Sequence, residues 1–66
     1  MKNSVKEERL KMNITQQELA DKLNVSRQTI FAIETGKYIP STILSLKIGK
    51  VFKKQVEDIF VLERKD

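Results

Sequence analysis

The sequence predicts an all-α domain of five short helices, and three observations predict it. Apolar residues recur at spacings of three and four, whereas the alternation of a half-buried strand surfaces only weakly near the C-terminus. Capping residues and helix breakers follow one another at intervals that leave room for short helices alone. With 66 residues, 39% of them hydrophobic, the chain can bury one modest core and has no room for a second domain. A core of that size is marginal by itself, so pairing with a second copy is expected.

The elements follow in order. A first helix with a thin apolar face is expected from about Ser4 to Met12, capped by the Ser4 hydroxyl and ending near Asn13. Thr15-Gln16-Gln17-Glu18 matches a capping box, in which the Thr side chain accepts from the N–H three residues on and the Glu reaches back. The second helix starts there, with Leu19, Ala20 and Leu23 on one face. Asn24 tolerates the left-handed backbone of a tight turn, and Ser26 restarts the chain as an N-cap. The third helix spans about Arg27 to Thr35, with Ile30 and Ile33 inward and Gly36 closing it in a left-handed position. Ser41 caps a fourth helix through about Phe52, with Leu44, Ile48 and Val51 or Phe52 inward and Gly49 open to close packing. A short fifth turn covers about Val56 to Phe60, after which Val61-Leu62-Glu63 can extend as a brief strand.

Composition then narrows the function. The chain has neither Cys nor His, which removes disulfides, thiolate metal sites and the usual Ser/His or Cys/His catalytic pairs. The adjacent carboxylates Glu57 and Asp58 suit the positive end of the fifth helix and not a catalytic or metal site. Neither an enzyme nor a cofactor-binding protein is expected, and no small-molecule ligand is evident. No apolar run approaches the ~20 residues that cross a bilayer, so a cytoplasmic location is expected and no membrane partner. Thirteen Lys and Arg against nine Asp and Glu leave a net charge of +4, and a polyanion is the partner that this favours. Residues 36–66 hold seven basic and four acidic side chains, against six and five in residues 1–35, so most of the excess lies in the second half.

Residues 15–35 place two short helices about a tight turn, which is helix-turn-helix geometry. In that arrangement the second helix enters the major groove of duplex DNA by its N-terminus. The residues just past its start are Ser26, Arg27, Gln28 and Thr29. An Arg fork fits a guanine edge and a Gln amide an adenine edge, each pairing supplying about 1–3 kcal/mol of discrimination.

Three linked motifs, Ile14-Thr15-Gln16-Gln17-Glu18-Leu19-Ala20, Asn24-Val25-Ser26-Arg27-Gln28-Thr29-Ile30 and Ile33-Glu34-Thr35-Gly36-Lys37-Tyr38 with Pro40-Ser41, resemble the lambda-repressor/Cro (XRE) helix-turn-helix family. The stretches from Lys47 to Phe52 and from Val56 to Phe60 extend the resemblance to its compact dimeric repressors. The resemblance implies a five-helix DNA-binding domain over residues 1–66, with double-stranded DNA and a second copy as partners. It implies base contacts from Arg27 and Gln28, with Phe31 positioned either for a thymine methyl or for burial. Backbone contacts are implied for Gln16, Gln17, Ser26, Thr29, Thr35, Lys37 and Tyr38, and a structural ion pair for Arg9 and Glu34.

Two departures from the family pattern matter. Glu8 stands where the family is usually apolar and Leu10 where it is usually polar, so the first helix is expected to be rotated, shifted or loosely packed. Lys53 replaces a Gly common at the end of the fourth helix, and Thr42 and Ile43 exchange polar and apolar character at its start. A dimer surface is expected at about residues 55–63, through Val56, Ile59, Phe60, Val61 and Leu62. Val61 and Leu62 have the alternative of pairing with residues 1–3 as a two-stranded ribbon. The resulting expectation is a homodimeric repressor that occupies a palindromic operator. The alternative is an antitoxin or adaptor whose main partner is another protein.

Overall fold

The computed structural model describes all of residues 1–66. It contains five helices, α1 (Val5–Lys11), α2 (Gln16–Leu23), α3 (Arg27–Glu34), α4 (Thr42–Phe52) and α5 (Val56–Ile59), flanked by strands β1 (Lys2–Asn3) and β2 (Phe60–Val61). The domain is therefore all-α apart from one two-stranded ribbon, and no helix is long and apolar enough to cross a membrane.

The expected capping chemistry sets most helix starts. Thr15 Oγ1 accepts from Glu18 N at 3.0 Å while Glu18 Oε1 accepts from Thr15 N at 2.8 Å, completing the capping box. The Ser26 and Ser41 hydroxyls likewise accept from the N–H groups of Thr29 and Leu44. Each such cap is worth about 1 kcal/mol, because it satisfies a donor that the helix cannot pair internally. The exception is α1. Ser4 occupies the cap position but its side chain makes no capping bond. Asn3 does this work: its Oδ1 accepts from Val5 N, and its Nδ2 donates to the Ile33 carbonyl of α3.

Helix ends follow the same logic. Asn24 and Gly36 take left-handed φ values of 60° and 78°, as expected at turns that reverse the chain. Lys53 does so too, at φ 56°, and Lys54 N then donates to the Gly49 carbonyl. A lysine holds this conformation at a steric cost that glycine does not carry, on the order of 1 kcal/mol. Gly49 is itself required, since a Cβ there would stand 2.8 Å from the Lys54 carbonyl oxygen.

Side chains from every element but β1 meet in the core. Leu19, Ala20 and Leu23 of α2 pack with Ile30 and Ile33 of α3, Leu44, Ile48 and Phe52 of α4, Val5 of α1, Ile59 of α5 and Phe60 of β2. Phe52 fills the inward position at the end of α4, and Val51 packs partly buried beside it.

Three expectations need correction. The first helix is neither rotated nor loose: Glu8 is buried and its Oε2 accepts from Lys54 Nζ at 2.8 Å and Lys11 Nζ at 3.4 Å, while Leu10 points to solvent. A charge from the turn after α4 therefore replaces the apolar contact. The C-terminal strand begins at Phe60, one residue earlier than expected, and pairs antiparallel to the N-terminus in the register Lys2 to Val61 and Asn3 to Phe60. The ribbon turns Ile59 and Phe60 inward, where they are 1% and 8% exposed and offer a partner almost no surface.

Two outcomes follow. Lys53→Gly should raise stability by about 1 kcal/mol and Gly49→Ala lower it by about 1–3 kcal/mol, both measured by urea unfolding. The Glu8 carboxyl is held below its ordinary range, chiefly by the hydrogen bond from Lys54, against the opposing effect of its burial. Its contribution to stability is complete above the ordinary glutamate value and disappears as pH falls through the lowered one. Glu8→Gln should therefore flatten the acid limb of a pH–stability profile, and an unchanged limb would show that this pair does not control it.

Candidate nucleic-acid interface

The helix-turn-helix is held by one buried polar node. Arg9 Nε donates to Glu34 Oε2 at 2.7 Å and Nη2 to Glu34 Oε1 at 3.3 Å, a two-pronged contact between α1 and the end of α3. Arg9 Nη1 donates to the Ile14 carbonyl at 2.9 Å, and Gln16 Nε2 donates to Glu34 Oε1 at 3.1 Å. Arg9 and Gln16 thus converge on the Glu34 carboxylate, and Arg9 also ties in the loop at Ile14. The side chains of Arg9 and Glu34 are 10% and 3% exposed, so neither charge has an adequate alternative in water. The expected ion pair between them is present.

This node aims the surface above it. Gln16 opens α2 and is half-buried, its side chain fixed by Glu34, and its amide retains a second N–H for an outside acceptor. Beside it, Gln17 is exposed and donates to Asp21 within α2. The free N–H groups at the start of α2 give that end a partial positive charge.

α3 divides cleanly between core and solvent. Ile30 and Ile33 are wholly buried, worth about 1.5–3 kcal/mol each, and they fix the roll of the helix. Arg27, Gln28 and Phe31 then fall on the outer face, all exposed, with Phe31 at 49%. Of the two openings left by the sequence for Phe31, burial within the protomer is excluded. Ser26 is exposed at the leading tip, and its hydroxyl and that of Thr29 lie 3.0 Å apart. No acidic residue occupies the first turn of α3, so nothing there opposes an anion.

Thr35, Lys37 and Tyr38 follow α3 on an exposed turn around Gly36. The backbone N–H groups of Lys37 and Tyr38 both donate to the Ala32 carbonyl, which holds the turn against the helix end. The Thr35 hydroxyl donates back to the Phe31 carbonyl at 2.8 Å. All of the side chains expected to contact DNA are accordingly exposed or half-buried, and they lie on α2, on α3 and its N-cap, and on the turn after α3. Of the five residues expected at a dimer surface, Val61 and Leu62 are exposed, Val56 is half-buried, and Ile59 and Phe60 are interior. What sequence reasoning missed is an apolar strip at Ile39, Ile43 and Leu46, between 55% and 70% exposed.

Comparison with known proteins agrees with this geometry. A helix-turn-helix family model matches residues 5–59, from the first residue of α1 to the last of α5. The chain belongs to the XRE-type helix-turn-helix family. It is 57% identical over 63 residues to an uncharacterized HTH-type transcriptional regulator of Methanocaldococcus jannaschii, covering 96% of each chain. It is 47% identical to the Bacillus subtilis HTH-type transcriptional regulator YgzD over 66 residues, the full length of both. A regulator of Archaeoglobus fulgidus is 46% identical over 66 residues, covering all of this chain and 93% of its own. As an XRE-type protein the chain is a DNA-binding transcriptional regulator.

The polar node of this helix-turn-helix domain yields a direct expectation. Arg9→Met should destabilise by about 3–5 kcal/mol, because it strands the Glu34 charge in the interior. The pair Arg9→Met with Glu34→Met should cost clearly less than the sum of the single changes. Chemical denaturation of the four proteins checks this, and strict additivity would mean that the two residues do not act as a unit.

Proposed function

We propose that this regulator is a homodimeric repressor that reads a palindromic operator through the leading ends of two α3 helices. The observation that carries the reading is the outward placement of Arg27 and Gln28 on a helix whose roll is fixed by Ile30 and Ile33. Arg27 is assigned to a guanine edge and Gln28 to an adenine edge, with Phe31 reaching a thymine methyl one turn further along. Gln16, Gln17, Ser26, Thr29, Thr35, Lys37 and Tyr38 are assigned to the phosphodiester backbone on either side, where they set register and contribute affinity. The Arg9–Glu34 pair acts indirectly, by holding Gln16 and α3 in one frame.

Magnitudes favour two copies over one. Two good base-reading pairs supply about 2–6 kcal/mol of discrimination, at about 1–3 kcal/mol each. Specific regulators typically exceed their non-specific binding by about 4–10 kcal/mol. A two-fold dimer doubles the first figure and reaches the second. Shape is compatible as well. The globule measures 32 × 22 × 21 Å, so copies placed side by side put their reading helices at a separation comparable with one duplex turn, about 34–36 Å. Occupying such a site excludes polymerase without any further domain, which is the simplest mechanism of repression.

Selection of bound sequences from a random duplex pool tests the assignments. Wild-type protein should yield a pseudo-palindrome, with preferences that relax at different positions in Arg27→Ala and Gln28→Ala. Lys37→Ala should instead weaken all sequences about equally and lower the salt slope of binding by about 0.9. Unaltered preferences in both α3 variants would refute the base-reading roles.

A further inference from the structure

We infer that the groove between the helix-turn-helix and α4 is a further DNA-backbone site, in which Lys47 holds a phosphate and Ser41 assists it. The inference deepens the reading of α3 above and rests on it. The groove, of about 390 Å³, brings Thr29 of α3 and Tyr38 of the following turn together with Ser41 and Lys47, from the cap and the second turn of α4. Thr29 and Tyr38 are already assigned to the duplex backbone. Ser41 and Lys47 are both exposed and lie beyond the residues so assigned.

Charge identifies the occupant. No carboxylate lines this groove, and Lys47 supplies its one charge. Lys47 enters none of the ion pairs within the chain, so that charge is not answered internally. The Ser41 hydroxyl accepts from Leu44 N, which leaves its O–H to donate outward. Thr29 and Tyr38 bring two more hydroxyls. One cation among neutral donors suits a singly charged group with several acceptor oxygens, which is what a phosphodiester offers. Val25, Ile43 and Leu44 supply apolar lining that a bare phosphate leaves uncovered and the adjoining deoxyribose covers.

Position supports the same occupant. A helix with its side chains is about 10–12 Å across and the major groove about 12 Å wide, so a helix seated there has a phosphate row close on each side. The elements that flank α3 are therefore what the phosphates meet, and α4 is one of them through Lys47. Thr29 directly follows Arg27 and Gln28, which places the groove beside the residues assigned to bases. The larger groove beyond Lys47, between α4 and α5, includes the Glu57 carboxylate and reaches neither α3 nor the turn after it.

Binding of a selected duplex across a salt series, with circular dichroism to confirm folding, tests the site. Lys47→Met keeps the aliphatic stem and should melt as wild type does, yet bind about tenfold more weakly and lower the log–log salt slope by about 0.9. Lys47→Arg should keep the wild-type slope. Lys50→Met removes an equal charge from the same helix, at a residue that lines only the larger groove, and should leave the slope unchanged. Among duplexes that each carry one neutral methylphosphonate, at least one should weaken wild type without further weakening Lys47→Met. Inorganic phosphate alone should give no saturable resonance shift at Lys47. A wild-type slope in Lys47→Met, an equal loss in Lys50→Met, or saturable phosphate uptake with unaltered duplex binding overturns the site. The reading of α3 survives each of these if Arg27→Ala still relaxes base preference. Wild type without salt-dependent affinity for any duplex overturns both.

Discussion

The structure depends on one carboxylate, that of Glu34. It lies at the end of α3, the helix proposed to enter DNA, it is almost completely buried, and it accepts hydrogen bonds from Arg9 and Gln16. Such a charge is tolerated in an interior only when paired with good geometry. Satisfying it fixes the first helix, the start of the second and the end of the third relative to one another. The apolar contacts of Ile30 and Ile33 set how α3 is rolled, and the Glu34 node sets where it sits. Together they convert a short helix, unstable in isolation, into a rigid projection.

Much of this was legible in the sequence because it is local. The capping box at Thr15 and the hydroxyl caps at Ser26 and Ser41 use atoms within three residues of one another, so spacing alone identifies them. The left-handed turns at Asn24 and Gly36 are legible for the same reason. Helix boundaries consequently fall within about one residue of those expected from caps and breakers.

Apart from the Arg9–Glu34 pair, which the family resemblance implied, and the terminal ribbon, which stood as an alternative, long-range pairings were not legible, and each error traces to one. Glu8 looked misplaced in an apolar register, because its partner Lys54 lies 46 residues away and nothing local announces it. Ser4 looked like a cap until Asn3, anchored to Ile33 of another helix, took over the role. Ile59 and Phe60 looked available for a partner because apolar residues at a chain end have no evident cover. Pairing of Asn3 with Phe60 across the ribbon folds them into the protomer's own core. Once those residues are internal, the apolar surface left over shifts to α4. The exposure of Arg27, Gln28 and Phe31 was legible, since it follows from helical periodicity once Ile30 and Ile33 are recognised as inward.

The account stands on the leading end of α3 being the surface that meets the duplex. Nuclear magnetic resonance titration of the labelled protein with a selected duplex measures this residue by residue. The largest amide perturbations are predicted at Gln16, across Ser26 to Thr29 and across Thr35 to Tyr38, with α5 and the ribbon little changed. Perturbations concentrated on α5 and the ribbon, with Ser26 to Thr29 unmoved, would contradict it.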